Sequence, residues 1–519
     1  MDRITSSSLS RRQFIRQAAC ATVGTMAMTS AIRDLRFMNA AVAQTNITDY
    51  KALVCIFLAG GNDSNNLIIP TATSEYNNYA TVRTPVLAIP SSSLLGISPL
   101  NNDGHTYGLH PCCTQLQALF NESPPPFNQR RLAILFNTGT LIYPLTKAIY
   151  NSTPSKRPPQ LFSHADQVTQ WQTSVPDQPA LTGWGGRCAD LLNAVQPGAP
   201  VSLSVSLAGA NTFEVGNQVS QDSVSTSGAI SLSLPGSGTA AYSNRLAAMT
   251  SILGLPYPNL QTSAYAGVAN HSINTGALLN SAIQATADPV TTPATQFWTT
   301  PFPGSSPFQV VTPLPSNGTK FNSSLGPQLK MIARLIEAGH RAAANGGFGM
   351  KRQIFFCQVG GYDLHSGQTD VPAGGSVLNG SHSNLFAELS QCMNAFQSAM
   401  DQIAAMPSHN DPNFAQRVTA FTCSDFGRTF PANGQGSDHG WGSHHLIMGG
   451  AVHGRQTYGT FPTLTVGGPD DTSTGRWIPT TACDQYFATL ATWFGVDSSN
   501  LTTVFPNIGR FSSPNLGFI

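Results

Sequence analysis

Charge is what this sequence has least of. Only 10% of its 519 residues are Asp, Glu, Lys or Arg, and 26 basic side chains stand against 25 acidic ones, for a formal net charge of +1. Nucleic-acid binding leaves a basic footprint; none is present, so no nucleic-acid partner is expected. No apolar run approaches the roughly 20 residues of a membrane-spanning helix, so no integral membrane segment is expected. The 9 cysteines contain no C-x-x-C pair, which argues against a thiolate zinc site. Cys55, Cys357 and Cys423 lie in apolar runs and read as small buried hydrophobes. Cys112 and Cys113 are adjacent, and spacing alone does not fix their pairing.

Glycine (47) and proline (36) are plentiful, and 41% of the residues are hydrophobic. That is enough for a sizeable core with many loops. The length implies either several domains or one large α/β domain with insertions. At the N-terminus, "SRRQFIRQAACATVGTMAMTSAI" places Arg11 and Arg12 ahead of Phe14, Ile15 and a weakly apolar run. This resembles a twin-arginine export signal, and "AVAQ" offers a small-x-small cleavage point after Ala43. Residues 1–43 are therefore expected to be a signal peptide, and the mature chain, from 44 to 519, to be periplasmic or secreted. Export in the folded state suits a protein that takes up a metal beforehand.

Four apolar runs end in small or polar residues: "KALVCIFLAGGND", "RLAILFNTG", "RQIFFCQVGGYDLH" and "RVTAFTCSDFGRT". Buried parallel strands look like this. Between them, Leu329, Ile332, Leu335 and Ile336 form one helical stripe. Leu385, Leu389, Met393, Phe396, Met400 and Ile403 form another. The expected fold is α/β, a mostly parallel sheet flanked by helices. The stretch from about 200 to 325 is rich in Ser, Thr, Gly and Pro, with strand-like alternation in "VSLSVSL" and "AISLSL". It reads as an insertion or cap over the sheet.

Ligands of open α/β sheets bind at the carboxyl ends of the strands. Three of the four ends carry acids: Asp63, Asp363 and Asp425. Asp363 and His365 are two residues apart, so in extended backbone they point the same way. Asp438 and His439 lie in a glycine-rich loop, followed by His444 and His445. Carboxylates and imidazoles converging from distant segments suit a divalent cation: zinc, manganese or calcium. An aspartate after a strand also caps turns and helices. Arg428, three residues after Asp425, matches a phosphate or sulfate in bidentate fashion. Trp171, Trp184 and Trp441 are either lining for a substrate or core.

The stretches "FLAGGNDSNNLIIP", "FSHADQVTQWQ", "GWGGR", "GGYDLHSGQ", "SDFGRT" and "DHGWGSHHLIMGGAVHGRQTYGTFP" resemble the family named domain of unknown function 1501, itself similar to sulfatases and alkaline phosphatases. That resemblance implies an alkaline phosphatase/sulfatase-like fold and an ordered set of metal ligands. Asp63 fits the first; Asp363 with His365 fits the second set; Asp425 fits the third. His439, with His444 or His445, fits the closing histidine, and Asp438 shares its loop. Phe426 stands where the superfamily has His or Asn. This departure either removes a second metal or leaves its remaining ligand to the Asp438-His439 loop. The resemblance also implies a nucleophile at a helix N-terminus. Ser163, beside His164, is the first candidate and Ser64 the second. There is no Cys-x-Pro-x-Arg, so a formylglycine sulfatase is not expected. Two functions follow. One is an exported metal-dependent hydrolase of a small anionic ester or a sulfated or phosphorylated glycan. The other is a non-catalytic protein on the same scaffold that binds an envelope partner or surface glycan.

Overall fold

The computed structural model describes residues 47–121, 130–196, 198–229, 238–284, 308–313, 318–406, 409 and 411–519. The expected signal segment and its cleavage point lie outside these residues. In chain order the described strands are β1 (Lys51–Leu58), β2 (Ile68–Pro70), β3 (Leu95–Ile97), β4 (Tyr107–Leu109), β5 (Leu132–Gly139), β6 (Ser204–Ser206), β7 (Asp222–Ser225), β8 (Gly228–Ala229), β9 (Gln309–Val311), β10 (Lys320–Asn322), β11 (Arg352–Val359), β12 (Val418–Ser424), β13 (Ser443–Gly449), β14 (Thr457–Tyr458) and β15 (Thr481–Ala482).

The four apolar runs become β1, β5, β11 and β12. They belong to one sheet of order β14-β5-β13-β12-β1-β11-β6-β7-β8, with β15 also paired to β5. β1 lies parallel between β11 and β12, with Leu58 opposite Val359 on one side and Ser424 on the other. The acid-bearing segments after these three strands therefore leave the sheet at one end. β6, β7, β14 and β15 add further parallel pairs. β13 runs antiparallel to both β12 and β5. The fold is thus the expected α/β arrangement, a mostly parallel sheet flanked by helices.

Alternation along each strand feeds two cores. Val54, Ile56 and Leu58 pack with the stripe of helix Leu325–His340 and with Leu389, Met393, Phe396 and Met400 of helix Ser381–Ala404. Leu53, Cys55 and Phe57 face the other way. They meet Trp184 and Leu191 of helix Trp184–Leu192, and Phe487 and Leu490 of helix Cys483–Phe494. Strands covered on both faces must be apolar at every position, which is why they read as unbroken runs. Each fully buried Leu, Ile, Phe or Met contributes about 1.5–3 kcal/mol. Cys55, Cys113, Cys357 and Cys423 are free and buried, and Cys112 is buried as well.

Within the 200–325 region, Ser204–Ser206 is a strand of the central sheet, parallel to β11. The helices Ala240–Leu253 and Leu260–Gln284 and the hairpin β9-β10 follow it. Among the described residues no helix is long and apolar enough to cross a membrane.

Candidate metal centre

Five chain segments converge at the carboxyl end of the sheet. β1 leaves through Gly60 and Gly61, both with positive φ (118° and 87°). A Cβ at Gly60 would collide with the backbone of Tyr362 and Asp363, and one at Gly61 would sit 2.6 Å from the Phe426 ring. Only glycine permits that approach. The Gly60 amide then donates to Asp425 Oδ1 at 2.9 Å, which ties the exits of β1 and β12 together. The loop between β12 and β13 folds on itself through Gly440 N to Gly427 O (2.7 Å) and Gly427 N to Trp441 O (2.9 Å). It thereby presents Asp438 and His439. His164 opens helix His164–Thr173.

Three imidazoles meet around Asp363. His164 Nδ1 lies 2.7 Å from Asp425 Oδ2, and His365 Nδ1 lies 3.0 Å from Asp438 Oδ1. His439 Nδ1 lies 2.7 Å from the carbonyl oxygen of Phe162. A carbonyl and an ionised carboxylate only accept, so each Nδ1 carries a proton, and a ring in its neutral form presents the Nε2 lone pair. Those Nε2 atoms converge: His439 to His164 at 3.1 Å and His439 to His365 at 2.9 Å. Asp363 Oδ1 is 3.2 Å from His365 Nε2 and 3.4 Å from His439 Nε2, and its Oδ2 is 3.4 Å from His164 Nε2. Lone pairs that close repel unless a cation, a proton or a metal, is shared between them. The ligand atoms of His164, Asp363 and His439 all lie within 4.8 Å of one another.

The electrostatics favour ligand forms. Burial depresses the His439 pKa, and nearby Arg428 and His164 add to this against the Phe162 carbonyl, so the ring stays neutral. Burial would raise the Asp363 carboxyl, but the hydrogen bond and charge of Arg428 outweigh it and keep the carboxylate ionised. Asp438 is likewise raised by burial and lowered further by Asn433 and His365. The Asp363 and His365 side chains are 46% and 45% exposed, so the centre opens to solvent.

The other residues expected from sequence lie elsewhere. Asp63 is buried against Arg83, with Gln368 and Asn65 also donating to it. Its charge is already neutralised, and it is not one of the three groups around His439. Arg428 is fully buried; its fork holds Asp363 Oδ1 (2.8 Å) and the carbonyls of Gly60 and Ser437. It positions a carboxylate instead of facing an incoming anion. The "SHH" stretch is the start of β13, not loop. This puts His445 in the core against Trp171 and Tyr486 (centroids 4.9 and 6.0 Å), with both ring nitrogens unpartnered. His444 accepts the Asn137 amide through Nδ1 (3.0 Å) and packs on Phe136 and Phe461. Trp441 is buried and donates to the Thr140 carbonyl. Trp171 and Trp184 are also core residues. Ser163 Oγ donates to Asp166 at 2.6 Å, while His164 beside it joins the cluster. Ser64 is buried and accepts the His444 amide.

Three contributors have no ligand signature in the sequence. Phe162 supplies only its carbonyl, from a left-handed backbone (φ 73°) that costs a bulky residue about 1–3 kcal/mol. Asn433 donates to Asp438 Oδ1 at 2.9 Å and to the His365 carbonyl at 3.1 Å. Arg476 donates to the His439 carbonyl (2.8 Å) and lies over the Phe162 ring at 4.2 Å. Phe426 is the floor of the site: its centroid is 4.7 Å from both His164 and His439.

Fold and site together define an α/β protein with a histidine–aspartate cluster at the carboxyl ends of adjacent parallel strands. A family model described as Protein of unknown function (DUF1501) matches residues 50–503, and the chain belongs to that family. Among curated proteins none matches the chain.

Proposed function

We propose that the protein is an exported metal-dependent hydrolase of phosphate or sulfate esters. The observation that carries this reading is the shared arrangement of the three histidines. Each Nδ1 is held by an acceptor, and each Nε2 is turned towards Asp363. Outer partners that fix the tautomer and raise ligand basicity are the usual companions of a bound metal. Three imidazoles with one carboxylate suit zinc or manganese better than calcium, which takes about six to eight oxygens. Similarity to sulfatases and alkaline phosphatases supports an ester substrate, and Arg11 with Arg12 supports twin-arginine export.

A divalent ion held there would supply Lewis acidity towards the ester oxygen and activate water near neutral pH. The chain's residues do the rest. Phe426 and the Phe162 carbonyl fix the His439 ring. Arg428 keeps Asp363 ionised. Arg476, half-buried at the edge of the site, is placed to meet an anionic substrate. Ser163 shares its hydroxyl with Asp166, so activated water is the favoured nucleophile.

The test is metal analysis of the purified chain after dialysis against zinc and manganese, followed by turnover of p-nitrophenyl phosphate and p-nitrophenyl sulfate. About one equivalent is expected in the wild type and none in Asp363→Ala, with turnover following metal content. Failure to take up either metal would overturn the reading. Metal uptake without turnover of any ester would instead favour the second reading, a non-catalytic envelope or glycan-binding protein. The Ser163–Asp166 hydrogen bond, which leaves the expected nucleophile engaged, is the observation on its side.

A further inference from the structure

A cleft of about 660 Å³ shares a wall with the candidate metal centre. Phe162 belongs to both: its carbonyl holds His439, and the residue lines the cleft. Tyr143, Tyr150, Arg157 and Arg510 line it too, with prolines such as Pro154. The volume falls in the range of small-ligand sites.

We propose that this cleft binds the organic part of the ester and that this part is a sugar carrying sulfate or phosphate groups. The inference rests on the hydrolase reading for the word ester, but the cleft stands on its own geometry. Its cations are laid over its aromatic rings. The Arg157 guanidinium is 4.1 Å from the Tyr150 centroid and Arg510 is 4.6 Å from Tyr143; Lys156, outside the lining, has its Nζ 5.6 Å from Tyr143. Such stacking holds a guanidinium flat with its edge free for oxyanions. Among the described residues Arg157 is bonded to the carbonyls of Tyr150 and Asn151 and to no carboxylate, so its charge is available. Arg510 is offset by Asp177 at 2.9 Å. The tyrosine and proline faces suit the C–H faces of a pyranose, while the guanidinium groups suit its charged substituents. A plain acyl chain would desolvate these cations without a partner. In a chain with so few charges, two arginines line this one cleft beside two tyrosines, and only one of them is offset by the Asp177 carboxylate that also lines it.

The test uses the full chain, metal-loaded, in calorimetric titrations with three tetrasaccharides of one backbone: sulfated, phosphorylated and neutral. One anionic form is expected to bind at least ~10-fold more tightly than the neutral form, and which one identifies the substituent. Arg157→Ala and, separately, Tyr143→Ala should each weaken that binding about 10-fold or more, with metal content unchanged. Tyr143 is partly exposed, so its variant is expected to fold whatever becomes of the other. Equal affinity for charged and neutral sugars, or full affinity in both variants, would overturn the proposal while leaving the metal centre intact. Sugar binding that depends on Arg157 in a chain that takes up no metal would sustain the cleft and remove the hydrolase.

Discussion

His439 and His445 are six residues apart and have opposite fates. His439 lies in the glycine-rich loop, in an isolated antiparallel bridge with Arg428; a backbone carbonyl takes its Nδ1 and its Nε2 faces Asp363. His445 is on β13, buried between aromatic rings with neither nitrogen paired. Burial lowers the pKa of both, to about 3 for His445. Yet one is a ligand-competent base in a solvent-open pocket and the other a core ring. Residue type nominates a ligand; the partner on the far nitrogen and the direction of the near one decide it.

Substitution at the two places should separate them most sharply. His439→Ala is expected to weaken metal binding by ~100-fold or more, measured by metal analysis after gel filtration, with little change in thermal unfolding of the metal-free chain. His445→Ala is expected to do the reverse. Metal content should hold, and stability should fall by ~2–4 kcal/mol in denaturant titration, as for other large-to-small core changes. Metal loss in His445→Ala without loss of stability would break the distinction.

The next effect is in the outer partners. Asp425→Asn and Asp438→Asn remove the charge behind His164 and His365, and each should cost about 10–100-fold in metal affinity. Unchanged affinity would mean that the Nδ1 contacts do not set the tautomers.

Acid should separate the regions in order. Protonating Nε2 competes with a metal, so affinity falls as pH drops through the imidazole range near about 6.5, and the lowered pKa of His439 extends retention somewhat below it. His444 and His445, with folded values of about 3, contribute stability that is complete above the unfolded value and lost as pH falls towards 3. Metal should therefore leave the chain before the sheet unfolds when both are followed along one pH series. Coincident transitions would show that the centre and the core are one unit. The smallest effect is Ser163→Ala. If water is the nucleophile, turnover of p-nitrophenyl esters should change less than ~3-fold, and a loss of ~100-fold or more would return the role to Ser163.

The sheet was legible because its physics is written locally. β1, β11 and β12 are covered on both faces, so every position had to be apolar, and the acids after them had to emerge together once the strands paired in parallel. Asp363, His365 and Asp425 could be nominated from that alone; His439 came from the glycine-rich loop and the family resemblance. What was hidden depended on partners far along the chain. Asp63 has the sequence position of a ligand, but Arg83, twenty residues later, neutralises it in the interior. Arg428 looks like an anion clamp until Asp363 closes on it. The Phe162 carbonyl has no side-chain signature; a left-handed φ at a phenylalanine is visible only in three dimensions. His444 and His445 read as loop because the glycines before them masked the start of a strand.

The antiparallel course of β13 bears on how the centre is filled. The stretch carrying Asp425, Arg428, Asp438 and His439 is anchored in the sheet at both ends, by β12 before it and β13 after it. Folding the sheet therefore draws this segment across the strand ends before any ion arrives. Such a bridge keeps its shape when empty, unlike small domains that fold only around zinc. An ion bound there would be added or withdrawn from the solvent side without dismantling the sheet, so loading would be a separate event from folding.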